Sequence, residues 1–353
     1  MPSINLGRPF ARIAIAAALL LGPAASRAAT DAELLSEART HFAPLPSDAA
    51  TEAFPIPPAR VELGRALFFD TRLSVDGTTS CASCHPPSLY GADGLVKSHG
   101  HHDRVAPRNA PTVLNSAIDI SIHWLGDRAN VEEQAVKALI GPPTMGNPNL
   151  DAAMAKIAAI PGYAPLFRAA FPGEEPALTQ ANFAKAVGAY ERTLMSPGRF
   201  DEFLAGKTDA LSAQEKAGLA TFIEVGCIAC HNGPNVGGNS YQKFGVTADY
   251  WTETGSAQPD KGRVAFTKNP DDTYVFKVPG LRNVAMTAPY FHDGSVVGLS
   301  DAVRIMGRLQ LGKDLTDQER SDIVAFLGSL TGRMPESFVS APILPPGAFR
   351  ATE

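Results

Sequence analysis

Two pentapeptides contain all four cysteines of the chain: Cys81-Ala82-Ser83-Cys84-His85 and Cys227-Ile228-Ala229-Cys230-His231. In each, two thiols stand three positions apart and a histidine follows directly. Thiols at this spacing can add to the two vinyl groups of a porphyrin, and the adjoining imidazole can then bind the iron. A single CxxC pair would also suit a disulfide, a redox dithiol or half of a zinc site. Two complete copies favour two covalent haem c groups, with His85 and His231 as iron ligands.

The N-terminal residues have the composition of an export signal. Arg8 and Arg12 form a basic start, residues 13–22 are apolar, and Ser26-Arg27-Ala28 is a small-x-small cleavage site. An apolar stretch of this length is too short to span a bilayer as a helix. Because haem is attached to CxxCH motifs outside the cytoplasm, we predict a signal peptide over residues 1–28 and a periplasmic protein without a membrane span in its mature form.

The charge balance argues against nucleic acid as a partner. The chain of 353 residues has a formal net charge of −5, and cleavage of the leader would remove three further arginines. Its hydrophobic content of 44% is sufficient for two domains of ordinary size. We therefore expect one haem in each domain.

Helix signals dominate the chain. Ser212 to Glu215 and Thr316 to Glu319 are capping boxes, and each begins a stretch with apolar residues at helical spacing. We also predict helices over 31–42 and 182–194. The 29 prolines and 31 glycines indicate long structured loops between the helices. The fold class predicted is therefore mainly α, with two cytochrome c-like domains.

A faint internal repeat supports two related modules. The segment Leu63-Gly-Arg-Ala-Leu-Phe-Phe precedes the first haem motif, and Ala217-Gly-Leu-Ala-Thr-Phe-Ile precedes the second. Each segment predicts a helix with an apolar face near a porphyrin. Proline and glycine interrupt the helical pattern between residues 195 and 199, so we place the domains at 29–196 and 197–334.

Five long segments give the chain a family resemblance: LFFDTRLSVDGTTSCASCH, GHHDRVAPRNAPTVLN, HWLGDRANVEEQA, FKVPGLRNVAMTAPYFHDGS and AVRIMGRLQLG. With these the chain resembles the bacterial dihaem cytochrome c peroxidases and the related MauG-like enzymes over nearly all of its mature length. The resemblance implies a peroxidatic N-terminal domain, an electron-transfer C-terminal domain, and a tail at 335–353 that packs on the first domain.

The resemblance also implies the remaining axial ligands. Met306 matches the axial methionine of the second haem, and a thioether opposite histidine raises the reduction potential. A methionine at this position favours the peroxidase branch, because the protein-modifying MauG-like enzymes use tyrosine. Gly100-His101 matches the glycine and distal histidine of the first haem, where that histidine caps the resting iron in many relatives.

The residues implied for peroxide chemistry depart from the family at one position. Gln134 matches a distal glutamine, but Thr144 stands where the family has a glutamate ten residues later. A hydroxyl cannot serve as a base near neutral pH, so we expect Thr144 to hold a water and His101 to be the best remaining acid-base group. Trp124 matches an aromatic residue between the haems.

Asn109, Thr287 and Pro289 match an inter-domain calcium site of the family, and oxygen ligands suit hydrated calcium. The function predicted is reduction of H₂O₂ with electrons from a small redox protein, a cytochrome c or a cupredoxin. The resemblance also implies a homodimer. Two alternatives stay open: a MauG-like oxidase that acts on a protein substrate, and a dihaem electron carrier without catalysis.

Overall fold

The computed structural model describes residue 2 and residues 30–348, so the predicted signal peptide lies outside the described residues apart from residue 2. The described chain is mainly helical, and none of its helices is long and apolar enough to cross a membrane. Its α-helices are α1 (Asp31–His41), α2 (Pro58–Phe69), α3 (Cys81–Cys84), α4 (Val131–Ile140), α5 (Leu150–Ala158), α6 (Tyr163–Ala170), α7 (Gln180–Glu191), α8 (Arg199–Leu204), α9 (Ala213–Val225), α10 (Tyr250–Thr254), α11 (Val264–Thr267), α12 (Leu299–Leu311), α13 (Asp317–Ser329) and α14 (Glu336–Val339).

The remaining regular structure is short. Strands β1 (Tyr241–Lys243) and β2 (Val275–Lys277) pair antiparallel, with Gln242 opposite Phe276. Short 3₁₀ turns occupy Thr71–Leu73, Pro87–Leu89, His101–Asp103, Ser116–Ile118, Thr208–Ala210, Cys227–Ala229, Pro270–Asp272 and Val284–Met286. Long loops therefore connect the helices on both sides of the chain's midpoint.

Both predicted capping boxes begin helices. The Ser212 and Thr316 side chains accept hydrogen bonds from the backbone N–H groups of Glu215 and Glu319, and each glutamate carboxylate accepts one from the backbone N–H of its cap residue. The predicted helix over 182–194 runs instead from Gln180 to Glu191. It ends early because Arg192 closes the last turn and the backbone then bends.

Two buried clusters divide the chain. The first combines α2, α4, α6 and α7 with Phe338 of the C-terminal segment, and the second combines α8, α9 and α13. The first helix, α1, places Leu34 and Ala38 in the second cluster. This differs from the predicted boundaries, which put residues 29–57 with the first half, because the apolar side of α1 packs against α8 and α9.

The internal repeat has a steric explanation. Gly64 on α2 and Gly218 on α9 occupy the same place in their segments, and each lies where two helices nearly touch. A Cβ atom at Gly64 would lie 1.8 Å from the Ala186 carbonyl oxygen on α7, and one at Gly218 would lie 1.8 Å from the Asp322 carbonyl oxygen on α13. Each glycine thus allows a helix that leads toward a haem motif to pack closely on its partner.

A second repeat becomes visible only in the backbone. Segments 109–128 and 277–296 have the same left-handed backbone positions at matching places in their sequences. Asn115 and Asn283 have φ values of 62° and 63°, and His123 and Phe291 both have 69°. Such angles are uncommon for residues with side chains. Their recurrence at matching positions indicates two copies of one loop.

The two loop copies bind each other symmetrically. The Asn109 N–H donates to the His292 carbonyl oxygen at 2.9 Å, and the Lys277 N–H donates to the Trp124 carbonyl oxygen at 2.8 Å. Asn109 corresponds to Lys277 and Trp124 corresponds to His292 in the repeat. The rings of Trp124 and His292 meet edge to face, with centroids 6.4 Å apart. These bonds join the two halves of the chain where their central loops meet.

Candidate functional site

Both cysteine-histidine motifs lie on the wall of one cavity of about 880 Å³. Each motif follows the end of a helix: α2 precedes Cys81 by a loop, and α9 runs almost directly into Cys227. The cavity is lined by residues of both halves of the chain, among them the central loops that contain Trp124 and His292. The fold therefore brings together two sets of residues that are far apart in sequence.

The two motif histidines present one nitrogen each to this cavity. The Nδ1–H of His85 donates to the Gly91 carbonyl oxygen at 2.8 Å, and the Nδ1–H of His231 donates to the Val236 carbonyl oxygen at 3.3 Å. This leaves Nε2 of both rings available as an iron ligand. Burial lowers the pKa of His85, and it lowers the pKa of His231 to about 4. Both imidazoles are thus neutral at pH 7, the form that binds iron.

The four cysteines form no disulfide with one another, and burial raises the pKa of each thiol. A redox dithiol needs a lowered thiol pKa, so these surroundings disfavour that interpretation. Among the described residues, no group of three or more His, Cys, Asp or Glu side chains could hold a metal ion. The two pairs stay separate, which disfavours a shared zinc site.

Met306 lies on α12 and lines the cavity together with His231. Gly307, the next residue, packs against Leu315, so the turn after α12 holds this part of the helix in place. The cavity lining thus includes a thioether besides the thiols and imidazole of the second motif, and this donor set fits haem c with histidine and methionine as axial ligands.

Gln134 also lines the cavity, from α4. Its Oε1 atom is buried and accepts no hydrogen bond from the described chain. Burying an amide oxygen without a partner is costly, which indicates that a ligand or water belongs beside it. Together with the thiols and the neutral imidazole of the first motif, this unpartnered atom fits a haem with a polar distal side.

Thr144 lines the cavity, but its hydroxyl group is occupied. The Oγ1–H lies within hydrogen-bond distance of the Ala138 carbonyl oxygen, at 2.6 Å, and of the Gly141 carbonyl oxygen, at 2.9 Å. Thr144 therefore caps the C-terminal end of α4. The hydroxyl proton of Thr144 is donated to a backbone carbonyl oxygen. The hydroxyl oxygen can therefore only accept a hydrogen bond from a water.

His101 is buried beside the turn that follows α4. Its backbone N–H and its ring Nδ1–H both reach the Thr144 carbonyl oxygen, at 2.9 and 3.2 Å. Gly146 makes room for the ring, because a Cβ atom there would lie 1.9 Å from the imidazole. His101 is not among the residues that line the cavity. The structure therefore places it next to Thr144.

Trp124 is one of the residues that line the cavity. Its Nε1–H donates to the Asn109 carbonyl oxygen at 3.0 Å. Its edge-to-face partner His292 is buried and stacks on Phe276, with ring centroids 4.2 Å apart. The pair forms a packed aromatic contact where the two central loops meet.

Asn109, Thr287 and Pro289 are brought to the same cavity wall from the two copies of the repeated loop. The Asn109 side chain donates from Nδ2 to the Leu95 carbonyl oxygen at 2.8 Å. That bond turns the amide so that its Oδ1 remains available as an oxygen ligand. The placement of these three residues is compatible with the predicted calcium site.

Sequence reasoning missed Glu191, the last residue of α7. Its side chain is buried, lines the cavity, and lies near enough to Cys81 for its charge to raise the pKa of that thiol. The only signal in the sequence is one acidic residue at the end of a short stretch without charged residues, Ala186 to Tyr190. Such a residue is usually taken to face solvent.

Comparisons with known proteins agree with this arrangement. Residues 58–209 match the family model described as di-haem cytochrome c peroxidase. The chain is 43% identical to the cytochrome c551 peroxidase of Pseudomonas aeruginosa over 332 residues, which cover 93% of this chain and 94% of the relative. It is also 43% identical to the cytochrome c551 peroxidase of Nitrosomonas europaea over 286 residues, which cover 81% of this chain and 83% of the relative.

Among solved structures, a MauG-like protein associated with microbial copper homeostasis superposes with a TM-score of 0.74 at 30% sequence identity. The superposition covers 84% of this chain and 95% of that protein. The identity and coverage of these relatives extend over both haem motifs, and the chain belongs to the di-haem cytochrome c peroxidase family.

Proposed function

We propose that this protein is a periplasmic enzyme that reduces H₂O₂ to water with electrons from a small redox protein, a cytochrome c or a cupredoxin. The observation that carries the proposal is the single cavity that both CxxCH motifs line together with Met306, Gln134 and Trp124. An electron carrier needs two haem sites, but it does not need an unpartnered polar atom beside one of them. The relatives named as peroxidases support the same conclusion.

Cys81, Cys84 and His85 would hold one haem c, and Cys227, Cys230, His231 and Met306 the other. When bound, the two haems would supply redox-active iron for accepting electrons and for reducing peroxide. The Gly91 carbonyl accepts from Nδ1–H of His85 and so keeps Nε2 free to bind iron. Gln134 orients peroxide or water through its unpartnered Oε1. Trp124 fills the space between the two sites.

His101 is the residue we assign to the iron of the first site in the resting enzyme. In the described structure it packs against Thr144 and Gly146, which lie beside the cavity. We assign this position to the state that admits peroxide. Movement of residues 99–103 toward the cavity would close it, and the left-handed φ values of His102 and Asp103 mark the bends of that segment.

The domain assignment follows the packing. We place the peroxidatic domain at the first buried cluster and the electron-transfer domain at the second, each cytochrome c-like and each with its haem. The C-terminal segment lies against the first cluster through Phe338, and α1 lies against the second. Calcium bound by Asn109, Thr287 and Pro289 would join the two copies of the central loop, and a homodimer is the assembly that we propose.

The first experiment is to measure the spin state of each haem in the fully oxidised and half-reduced protein, with calcium present, and then to add H₂O₂ and a reduced cytochrome c. We expect one haem to become high-spin on half-reduction and the donor to be oxidised catalytically. His101→Gly should keep that haem high-spin in both states. The exposed neighbour, in a His102→Gly variant, is the matched control.

Two results would contradict the proposal. If both haems stay low-spin and peroxide has no effect, the protein is an electron carrier. If peroxide is consumed without oxidation of the donor and the electrons come from a protein substrate, the MauG-like alternative holds.

A further inference from the structure

One carboxyl group in the cavity is not used by the chemistry described above. Glu191 is 6% exposed and lines the cavity from the end of α7. α7 packs against α4, the helix that contains Gln134. The charge of the Glu191 carboxylate also raises the pKa of the Cys81 thiol in the first motif. Glu191 therefore lies near the first motif, to which the proposed function assigns peroxide reduction.

No group in the described part of the chain donates a hydrogen bond to this carboxyl. The adjacent Arg192 does not, because its guanidinium binds Glu132 through two hydrogen bonds of 2.8 and 3.0 Å and also donates to the Ala49 carbonyl oxygen. Glu191 also lies at the C-terminal end of a helix, where the helix dipole disfavours negative charge. An ionised form would be buried without compensation.

These surroundings favour the protonated acid. Burial, together with the nearby charge of Glu132, raises the pKa of Glu191 to about 8. A neutral carboxylic acid at pH 7 can give up a proton, and perturbed groups of this kind in a cavity are candidates for function. It is also the group that the sequence lacks at position 144.

We propose that Glu191 holds one of the protons that peroxide reduction consumes, and that it replaces the carboxylate missing at Thr144. This inference rests on the proposed function. In the overall reaction the O–O bond of H₂O₂ breaks, the donor protein supplies two electrons, and two protons complete two molecules of water. Glu191 gives one of these protons to the departing oxygen and becomes a carboxylate, which takes a proton back from solvent.

The test combines infrared spectroscopy with kinetics on the haem-loaded protein. The wild type should show the C=O band of a protonated carboxylic acid, and this band should fade as the pH passes about 8. Glu191→Gln should lack the band and reduce peroxide about 100-fold more slowly. Glu191→Asp should keep part of the rate. Glu224→Gln removes an exposed carboxylate on α9 and is the matched control, with band and rate unchanged.

The pH profile separates proton supply from a merely structural role. The wild-type rate should fall as the pH rises through the same range, and this decrease should be missing in Glu191→Gln. An unchanged rate and profile in that variant, or no pH-dependent band in the wild type, would overturn the inference alone. No peroxide turnover by the wild type would overturn the proposed function, and the inference with it.

Discussion

Glu132 on α4 and Arg192 after α7 form a buried ion pair with two hydrogen bonds, and their side chains are only 9% and 6% exposed. The Glu132 side chain fills the space over Gly188, where a Cβ atom would lie 2.4 Å from its carboxylate. Glu132→Gln keeps this volume but removes the negative charge. The substitution should therefore leave a buried guanidinium without its counter-ion.

The expected cost follows from that geometry. Removing one partner of a buried pair costs about 3–5 kcal/mol, because the remaining charge stays out of water. We take about 3 kcal/mol, since glutamine can still accept one hydrogen bond from Arg192. With a slope of about 5 kcal/mol per M in guanidinium chloride, the unfolding midpoint should fall by about 0.6 M.

The assay is guanidinium unfolding of the haem-loaded protein, followed by far-UV circular dichroism. Glu202→Gln is the matched control, because Glu202 and Lys207 form an exposed pair at 3.3 Å that should contribute no more than about 1 kcal/mol. Replacing both partners, with Glu132→Leu and Arg192→Met, should restore most of the loss. If Glu132→Gln costs no more than Glu202→Gln, the reasoning about the buried pair is wrong.

Three further predictions concern stability. Gly64→Ala should lower the free energy of unfolding by about 1–3 kcal/mol because of the contact with Ala186. Gly328→Ala on α13, where nothing lies within 4 Å, should raise it by about 0.5–1 kcal/mol. Unfolding midpoints of the two variants test this difference. The hydrogen bond from Arg199 lowers the pKa of Glu215 in the folded protein. The ionised Glu215 therefore stabilises the fold above the unfolded pKa of about 4.3, and this contribution is lost as the pH falls through the folded pKa. Between about pH 7 and about pH 3, Glu215→Gln should lose less stability than the wild type. The pKa of Glu191 in the folded protein is raised to about 8. The wild type should therefore lose stability as the pH rises from about 4.3 to about 8, and Glu191→Gln should not lose it. Unfolding midpoints measured as a function of pH test this prediction.

Some features of the fold could be predicted because their causes are local. The capping boxes at Ser212 and Thr316 act within one turn of helix, so residue type and spacing were sufficient. The helix over 31–42 was also predicted correctly to within one residue. The structure adds that α1 packs with the second buried cluster. Helical periodicity identifies an apolar face without identifying the partner that covers it.

The candidate site also combines features that the sequence predicts with features that depend on the tertiary structure. The spacing within CxxCH predicts two thiols and an imidazole at each haem, so the sequence by itself was sufficient for the cofactor hypothesis. Only the tertiary structure decided that both motifs line one cavity, that Trp124 meets His292 across a repeated loop, and that Glu191 is buried without a partner. These contacts join residues that are distant in the chain, and the burial that alters the pKa of a carboxyl exists only after the helices have packed around it.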